Sequence, residues 1–247
     1  MNLTRTLLIL LFISLTTFLF AQPGSYKVIS KPWPDVRGMA AVEDELFIIS
    51  QGYLYRAGSD GSYGKIASSW GNTSFMEGLN GSLFMANAPH VYKAQTSDGS
   101  YQSLGTGWTS VSGMAGLNKK LYVVSARQLY MLSPEGPKNL GAGWNDVTGM
   151  TSLGDENLFI VSSGRLYKVD PEDGAYTDLG GGWNDVTAMC SSGEELFIVS
   201  ANILYVVSKD GKYKNIGNGW SDVSGMVAMN GKLYAISQKI LYEVQIK

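Results

Sequence analysis

Short apolar runs recur along the chain at nearly even intervals: Leu46-Phe47-Ile48-Ile49, Leu83-Phe84-Met85-Ala86, Leu121-Tyr122-Val123-Val124, Leu158-Phe159-Ile160-Val161, Leu196-Phe197-Ile198-Val199 and Leu233-Tyr234-Ala235-Ile236. Four apolar residues in a row, bounded by turn residues, predict a strand buried on both faces. A second strand follows each run and carries one tyrosine, at Tyr55, Tyr92, Tyr130, Tyr167, Tyr205 and Tyr242. A turn then intervenes, Asp60-Gly61, Asp98-Gly99, Asp173-Gly174 or Asp210-Gly211, with Glu135-Gly136 as the variant. Asp-Gly between alternating apolar residues marks a hairpin, so a third strand pairs back on the second. No helical period occurs after residue 21.

Ahead of each apolar run stands Trp-x-x-Val-x-Gly-Met or a close variant, at Trp33, Trp70, Trp108, Trp144, Trp183 and Trp220, which are all six tryptophans of the chain. They are 37, 38, 36, 39 and 37 residues apart, and a methionine follows each by six positions. Four strands in about 37 residues is the size of one propeller blade. The sixth repeat ends after its third strand, while Tyr26-Lys27-Val28-Ile29 stands alone before the first tryptophan. Ile29 precedes Trp33 by four residues, as Ile66, Leu104, Leu140, Leu179 and Ile216 precede theirs. The N-terminal strand is therefore predicted to complete the last blade. The fold expected is an all-β, six-bladed β-propeller closed without a free sheet edge, in one domain over residues 22–247.

Residues 1–21 read differently. Arg5 precedes a mostly apolar run from Leu7 to Phe20, and Ala21 stands before Gln22-Pro23. The run is too short to span a membrane as a helix and has the form of a secretory signal peptide, so an exported, secreted protein with no membrane span after cleavage is expected.

Composition removes most catalytic chemistry. One cysteine, Cys190, and one histidine, His90, exclude a disulfide within the chain and a Cys/His zinc site. A Ser-His-Asp arrangement would have to use His90. The formal charge is −2 with 16% charged residues, which lacks the basic excess that nucleic acid demands. No cofactor and no metal are expected; aspartates recur two residues after tryptophan at Asp35, Asp146, Asp185 and Asp222, but Asn72 and Ser110 break that ring.

In a meander of four strands the loops entering each blade share a face with the turns between its second and third strands. That face gathers the Trp-Asn-Asp segments with Arg127, Arg165 and Asn202, and the opposite face carries the Asp-Gly hairpins. The methionines, and the small residue before most of them, read as packing near the axis. The tryptophans have two readings, a wedge between blades or an exposed platform for a ligand. The aspartates likewise serve either to tie the loop to backbone N–H groups or to touch ligand.

The repeated Trp-x-x-Val-x-Gly motif, with Gly180-Gly181-Gly182-Trp183-Asn184-Asp185-Val186 and Leu166-Tyr167-Lys168-Val169-Asp170-Pro171, resembles the tectonin and tachylectin-type β-propeller lectins over essentially the whole mature chain. The tectonin Val-Trp-Gly-Val-Asn strand is replaced here by Phe-Ile-Val-Ser. The resemblance implies saccharide recognition in inter-blade clefts without catalysis, with glycans or a glycosylated surface as partner. The binding candidates are Arg165 with Trp183, Asn184 and Asp185; Arg127 with Trp144, Asn145 and Asp146; and Asn202 with Trp220 and Asp222. A monomer with several weak sites acting together is expected. The competing reading is a protein-interaction or structural propeller without small ligand. A hydrolase or lactonase-like propeller is a third, which needs an asymmetric site; blade two departs most from the repeat, at Thr73, Phe75, Asn87 and His90.

Overall fold

The computed structural model describes residues 22–30, 32–133 and 135–246. The signal peptide expected over residues 1–21 lies outside them. Among the described residues there are twenty-four strands, and no helix is long and apolar enough to cross a membrane.

The first strand, β1 (Tyr26–Ser30), precedes five complete blades. Blade one is β2 (Val36–Val42), β3 (Glu45–Ser50), β4 (Tyr53–Ala57) and β5 (Tyr63–Ala67). Blade two is β6 (Thr73–Leu79), β7 (Ser82–Asn87), β8 (His90–Gln95) and β9 (Tyr101–Thr106). Blade three is β10 (Val111–Leu117), β11 (Lys120–Ser125), β12 (Gln128–Ser133) and β13 (Gly136–Ala142). Blade four is β14 (Val147–Leu153), β15 (Asn157–Ser162), β16 (Arg165–Val169) and β17 (Tyr176–Gly181). Blade five is β18 (Val186–Ser192), β19 (Glu195–Ser200), β20 (Ile203–Ser208) and β21 (Tyr213–Asn218). Blade six is β22 (Val223–Met229), β23 (Lys232–Ser237) and β24 (Ile240–Gln245), and β1 pairs antiparallel with β24 as its fourth strand. The six-bladed ring and its closure by the first strand agree with the sequence reading.

The apolar runs form the second strand of every blade. In β3, β11, β15, β19 and β23 five of six residues are buried, because each strand lies inside its sheet and between two neighbouring blades. Burial on both faces explains why these strands are uniformly apolar and do not alternate. The outermost strands are mainly exposed and carry the polar residues.

At the axis, each innermost strand shifts register against its neighbour at one place, between Val36 and Gly38 and at the equivalent positions of the other five blades. The extra residue is Arg37, Ser74, Ser112, Thr148, Thr187 or Ser224, and in every blade but the third this β-bulge residue lines the axial cavity. The small residue that follows has a packing reason. A Cβ on Gly38 would stand 2.8 Å from Cβ of Met76 in the next blade, and one on Gly225 would stand 2.9 Å from that of Met39. Glycine there lets one blade receive the methionine of the next.

Candidate functional site

Two rings of backbone hydrogen bonds fix the face that carries the tryptophan loops. Each loop N–H at tryptophan donates to the turn of the preceding blade: Trp144 to Arg127 O at 3.2 Å, Trp183 to Gly164 O at 3.0 Å, Trp220 to Asn202 O at 3.0 Å. Two residues on, the loop carbonyl accepts from the turn of its own blade, Asp185 O from Ala201 N–H at 3.3 Å and Asp222 O from Gln238 N–H at 3.4 Å. The turns are tight two-residue turns with both φ positive, such as Ala126-Arg127 and Ala201-Asn202. Arg127 and Asn202 are thus placed by turn geometry.

The aspartates act through the backbone. Asp35, Asp146 and Asp222 have φ of 49°, 47° and 50°, in the left-handed region that aspartate and asparagine tolerate better than most residues. Among the described residues no backbone N–H donates to their carboxylates; the backbone conformation and the carbonyl tie the loop instead. Asn145, Asp146, Asn184, Asp185, Arg127, Asn202 and Asp222 are all exposed on this face, as the loop sorting predicts.

The structure decides between the two readings of the tryptophans and corrects the placement expected for Arg165. Trp144, Trp183 and Trp220 are only 4–5% exposed, as the wedge reading requires. Each ring is packed between two blades and covered edge-on by tyrosine: Trp183 lies 5.6 Å from Tyr205 and 5.3 Å from Tyr213, centroid to centroid. A platform for stacking needs an open face, and these rings have none. Arg165, expected with Trp183, Asn184 and Asp185, turns to the outer strand of its own blade, where Nε stands 2.7 Å from Asp178 Oδ2. The hydrogen bond from Arg165 holds the Asp178 carboxyl below its usual range.

The exposed aromatic in each cluster is a tyrosine that the sequence reading passed over. Tyr26, Tyr63, Tyr101, Tyr176 and Tyr213 open the outermost strands and are 57–62% exposed. Each stands three residues before the isoleucine or leucine that announces a tryptophan, a spacing visible in the sequence; blade three has Pro137 there. At blade six the cluster borders a cavity of about 70 Å³ lined by Tyr26, Tyr242, Trp220, Asn218, Gly219, Ser237 and Gln238. The Trp220 indole Nε1 is buried and has no hydrogen-bond partner among the described residues. Trp33, in the equivalent position of blade one, donates to Ser30 Oγ at 3.0 Å.

His90 does not enter the channel. It lies on the rim, tilted on Tyr92 and 3.3 Å from Ser103 Oγ through Nδ1. Blade two instead contributes Glu77 to the axial cavity, a residue the sequence reading did not single out. Burial pushes the Glu77 carboxyl up to about 7, against a smaller lowering from the Gly116 N–H that donates to Oε1 at 3.1 Å. Cys190 lines the same cavity, and burial followed by the Glu77 charge pushes its thiol above the ordinary range. Among the described residues no three His, Cys, Asp or Glu side chains come together as a metal site.

No protein-family model matches the chain, and no curated protein matches it. Among solved structures it is similar to a putative gluconolactonase, with a TM-score of 0.73 and 12% identity over 90% of this chain and 92% of that one. It is similar to the WD40 propeller domain of Doa1, with a TM-score of 0.66 and 14% identity over 90% and 96%. A third is PorZ, a bacterial surface component of the type-IX secretion system of Porphyromonas gingivalis, at 0.63 and 14% over 90% of this chain. This chain spans 38% of the length of PorZ. At these identities the likeness establishes the six-bladed propeller and no activity.

Proposed function

We propose that the protein is an exported, non-enzymatic recognition propeller that binds saccharides at clefts between blades. The observation that carries this reading is the Trp220 indole N–H, buried without a partner beside a small cavity edged by the exposed Tyr26 and by Asn218 and Gln238. A buried donor left unpaired costs about 1–3 kcal/mol, which a ligand hydroxyl or amide carbonyl would recover. Tyrosine rings offer C–H stacking, and the amides of Asn218 and Gln238 offer both donors and acceptors, the combination a pyranose presents in return. The same Trp-Tyr-Tyr cluster recurs in four further blades, which supports several weak sites acting together.

Repetition also supports the non-enzymatic reading, since one catalytic centre would draw different groups from different blades. The expected result is binding of the purified protein to a subset of arrayed glycans, lost or weakened at least fivefold by Asn218→Ala and Tyr26→Ala in variants that keep their melting temperature. Binding that is unchanged in both, or no binding to any arrayed glycan, overturns the proposal.

A further inference from the structure

The axial cavity holds about 510 Å³ and is unlike the rest of the ring in one respect: it is not six-fold. The position after the ring methionine is Ala40, Glu77, Ala115, Thr151, Cys190 and Val227 in successive blades. A single carboxyl thus faces the lumen from β6, with a hydroxyl and a thiol on β14 and β18 across the axis. The volume falls within the roughly 300–1,000 Å³ of small-molecule sites.

The charges that face Glu77 do not neutralise it. Arg37 of β2 stands at the channel mouth with its Nε 2.8 Å from Asp35 Oδ1, so that guanidinium is already paired. Cys190 of β18 carries no charge, and β10 contributes a backbone N–H, that of Gly116, to Oε1 alone. Arg37, Glu77 and Cys190 are the titratable residues of the cavity wall. Glu77 is half-buried with one backbone N–H as partner, so its carboxylate is still costly to ionise, and a ligand cation is what would relieve that cost. A divalent metal ion needs six or more oxygen ligands or a cluster of acids, which one carboxyl does not provide. An organic ammonium needs one acid, nearby hydroxyls, and a soft apolar wall for its alkyl part. Met39, Met76, Met150, Met189 and Met226 supply that wall, with Thr151 and Ser191 opposite the acid.

We propose that the axial cavity is a binding site for a small amine-bearing molecule, its ammonium paired with Glu77 and its alkyl portion against the methionine ring. This site is separate from the inter-blade clefts and does not depend on saccharide binding there. Entry is from the face of the tryptophan loops, where Arg37, Ser74, Thr148, Thr187 and Ser224 are exposed around the mouth.

The test is calorimetric titration of the full purified protein with n-butylamine, against n-butanol, sodium butyrate and calcium chloride as matched probes. Butylamine is expected to bind at least tenfold more tightly than butanol at pH 8, and butyrate and calcium to show no binding. Because the acid must be ionised, butylamine binding should weaken roughly thirtyfold between pH 8 and pH 5.5. Glu77→Gln, which keeps side-chain size, should remove the preference for butylamine over butanol, and Glu77→Asp should retain part of it. Equal binding of butylamine by wild type and a folded Glu77→Gln overturns the proposal. So does tighter binding of calcium than of butylamine, a flat pH profile in the wild type, or no butylamine binding at pH 8.

Discussion

Lys27 Nζ stands 3.2 Å from Glu243 Oε1, an ion pair that joins the first strand of the chain to the last. The same oxygen receives Lys232 Nζ at 2.9 Å, and Tyr234 donates its hydroxyl to Oε2 at 3.2 Å. Glu243 is buried, with 3% side-chain exposure, while Lys27 is 60% exposed. Truncating the carboxylate removes both ion pairs and the acceptor for Tyr234 but leaves two lysines that solvent reaches, whereas truncating Lys27 leaves Glu243 paired with Lys232. Glu243→Ala is expected to cost about 1–3 kcal/mol and Lys27→Ala about 1 kcal/mol or less, read by urea denaturation at pH 7.

That ion pair has a pH signature. Burial alone would raise the Glu243 carboxyl, but hydrogen bonds and charge from Lys232 and Lys27 outweigh it and hold the group below 4.5. A carboxyl lowered in the folded state contributes stability above its unfolded value and loses it as pH falls through the folded one. The gap in stability between wild type and Glu243→Gln should thus be full at pH 6 and narrow steadily below about pH 4.5. A gap that stays constant down to pH 3 contradicts the assignment.

Glu77 has the opposite sign. Its carboxyl is raised to about 7, so the folded protein holds this proton more tightly than the unfolded chain does. Stability is greatest below about pH 4.5 and declines as pH rises to about 7, where the cost levels off. Glu77→Gln is expected to be more stable than wild type at pH 8 by about 2–3 kcal/mol and near-equal at pH 4.5. Denaturation midpoints at the two pH values decide it.

Trp183 and Tyr213 touch each other and should respond differently to substitution. Trp183→Ala removes a 5%-exposed ring at the junction of blades four and five and is expected to cost about 3–5 kcal/mol. Tyr213→Ala, with its ring 62% exposed, is expected to cost about 1 kcal/mol or less while reducing glycan binding at that cleft. Paired thermal melts and glycan titrations check both; a larger stability loss from Tyr213→Ala than from Trp183→Ala would sink the division of roles.

Asp222 is held at a φ of 50° and its carboxylate is exposed. Asp222→Gly is accordingly expected to change stability by less than about 0.5 kcal/mol, whereas Asp222→Ala should cost about 1 kcal/mol by placing Cβ in a disfavoured backbone region. If the two variants melt alike, the aspartate is chosen for something other than its backbone.

The ring was legible because its signals are redundant. Six tryptophans, six methionines and the distance from Ile29 to Trp33 all specify the same closure, and the loop sorting follows from strand count alone. The side-chain roles were less legible for definite reasons. A tryptophan reads the same whether wedged or exposed, and only the tyrosines above Trp183 settle which. Arg165 reaches Asp178 because Asp178 lies opposite Tyr167, two residues along on the same face of the sheet, and that pairing depends on a register the sequence pattern alone leaves open. Glu77 carried a usable signal, being the one acid in a column of Ala, Thr, Cys and Val, yet periodicity draws the eye to what repeats. The sequence marks blade two as the one that departs most from the repeat at Thr73, Phe75, Asn87 and His90, and Glu77 adds a fifth departure there.

Closure of the sixth sheet by β1 also dictates an order of events. Tyr26 and Val244 are Cα partners across that seam, so the earliest strand made has no partner until almost the whole chain exists. The intervening blades can form from local hairpins, but the seam is the longest loop closure in the fold and cannot precede them. Until it forms, β24 presents an open edge, and the nascent ring is a curved strip that another chain's β1 could complete. Intramolecular closure wins at low concentration, which makes exchange of first strands between copies the characteristic misassembly of this architecture.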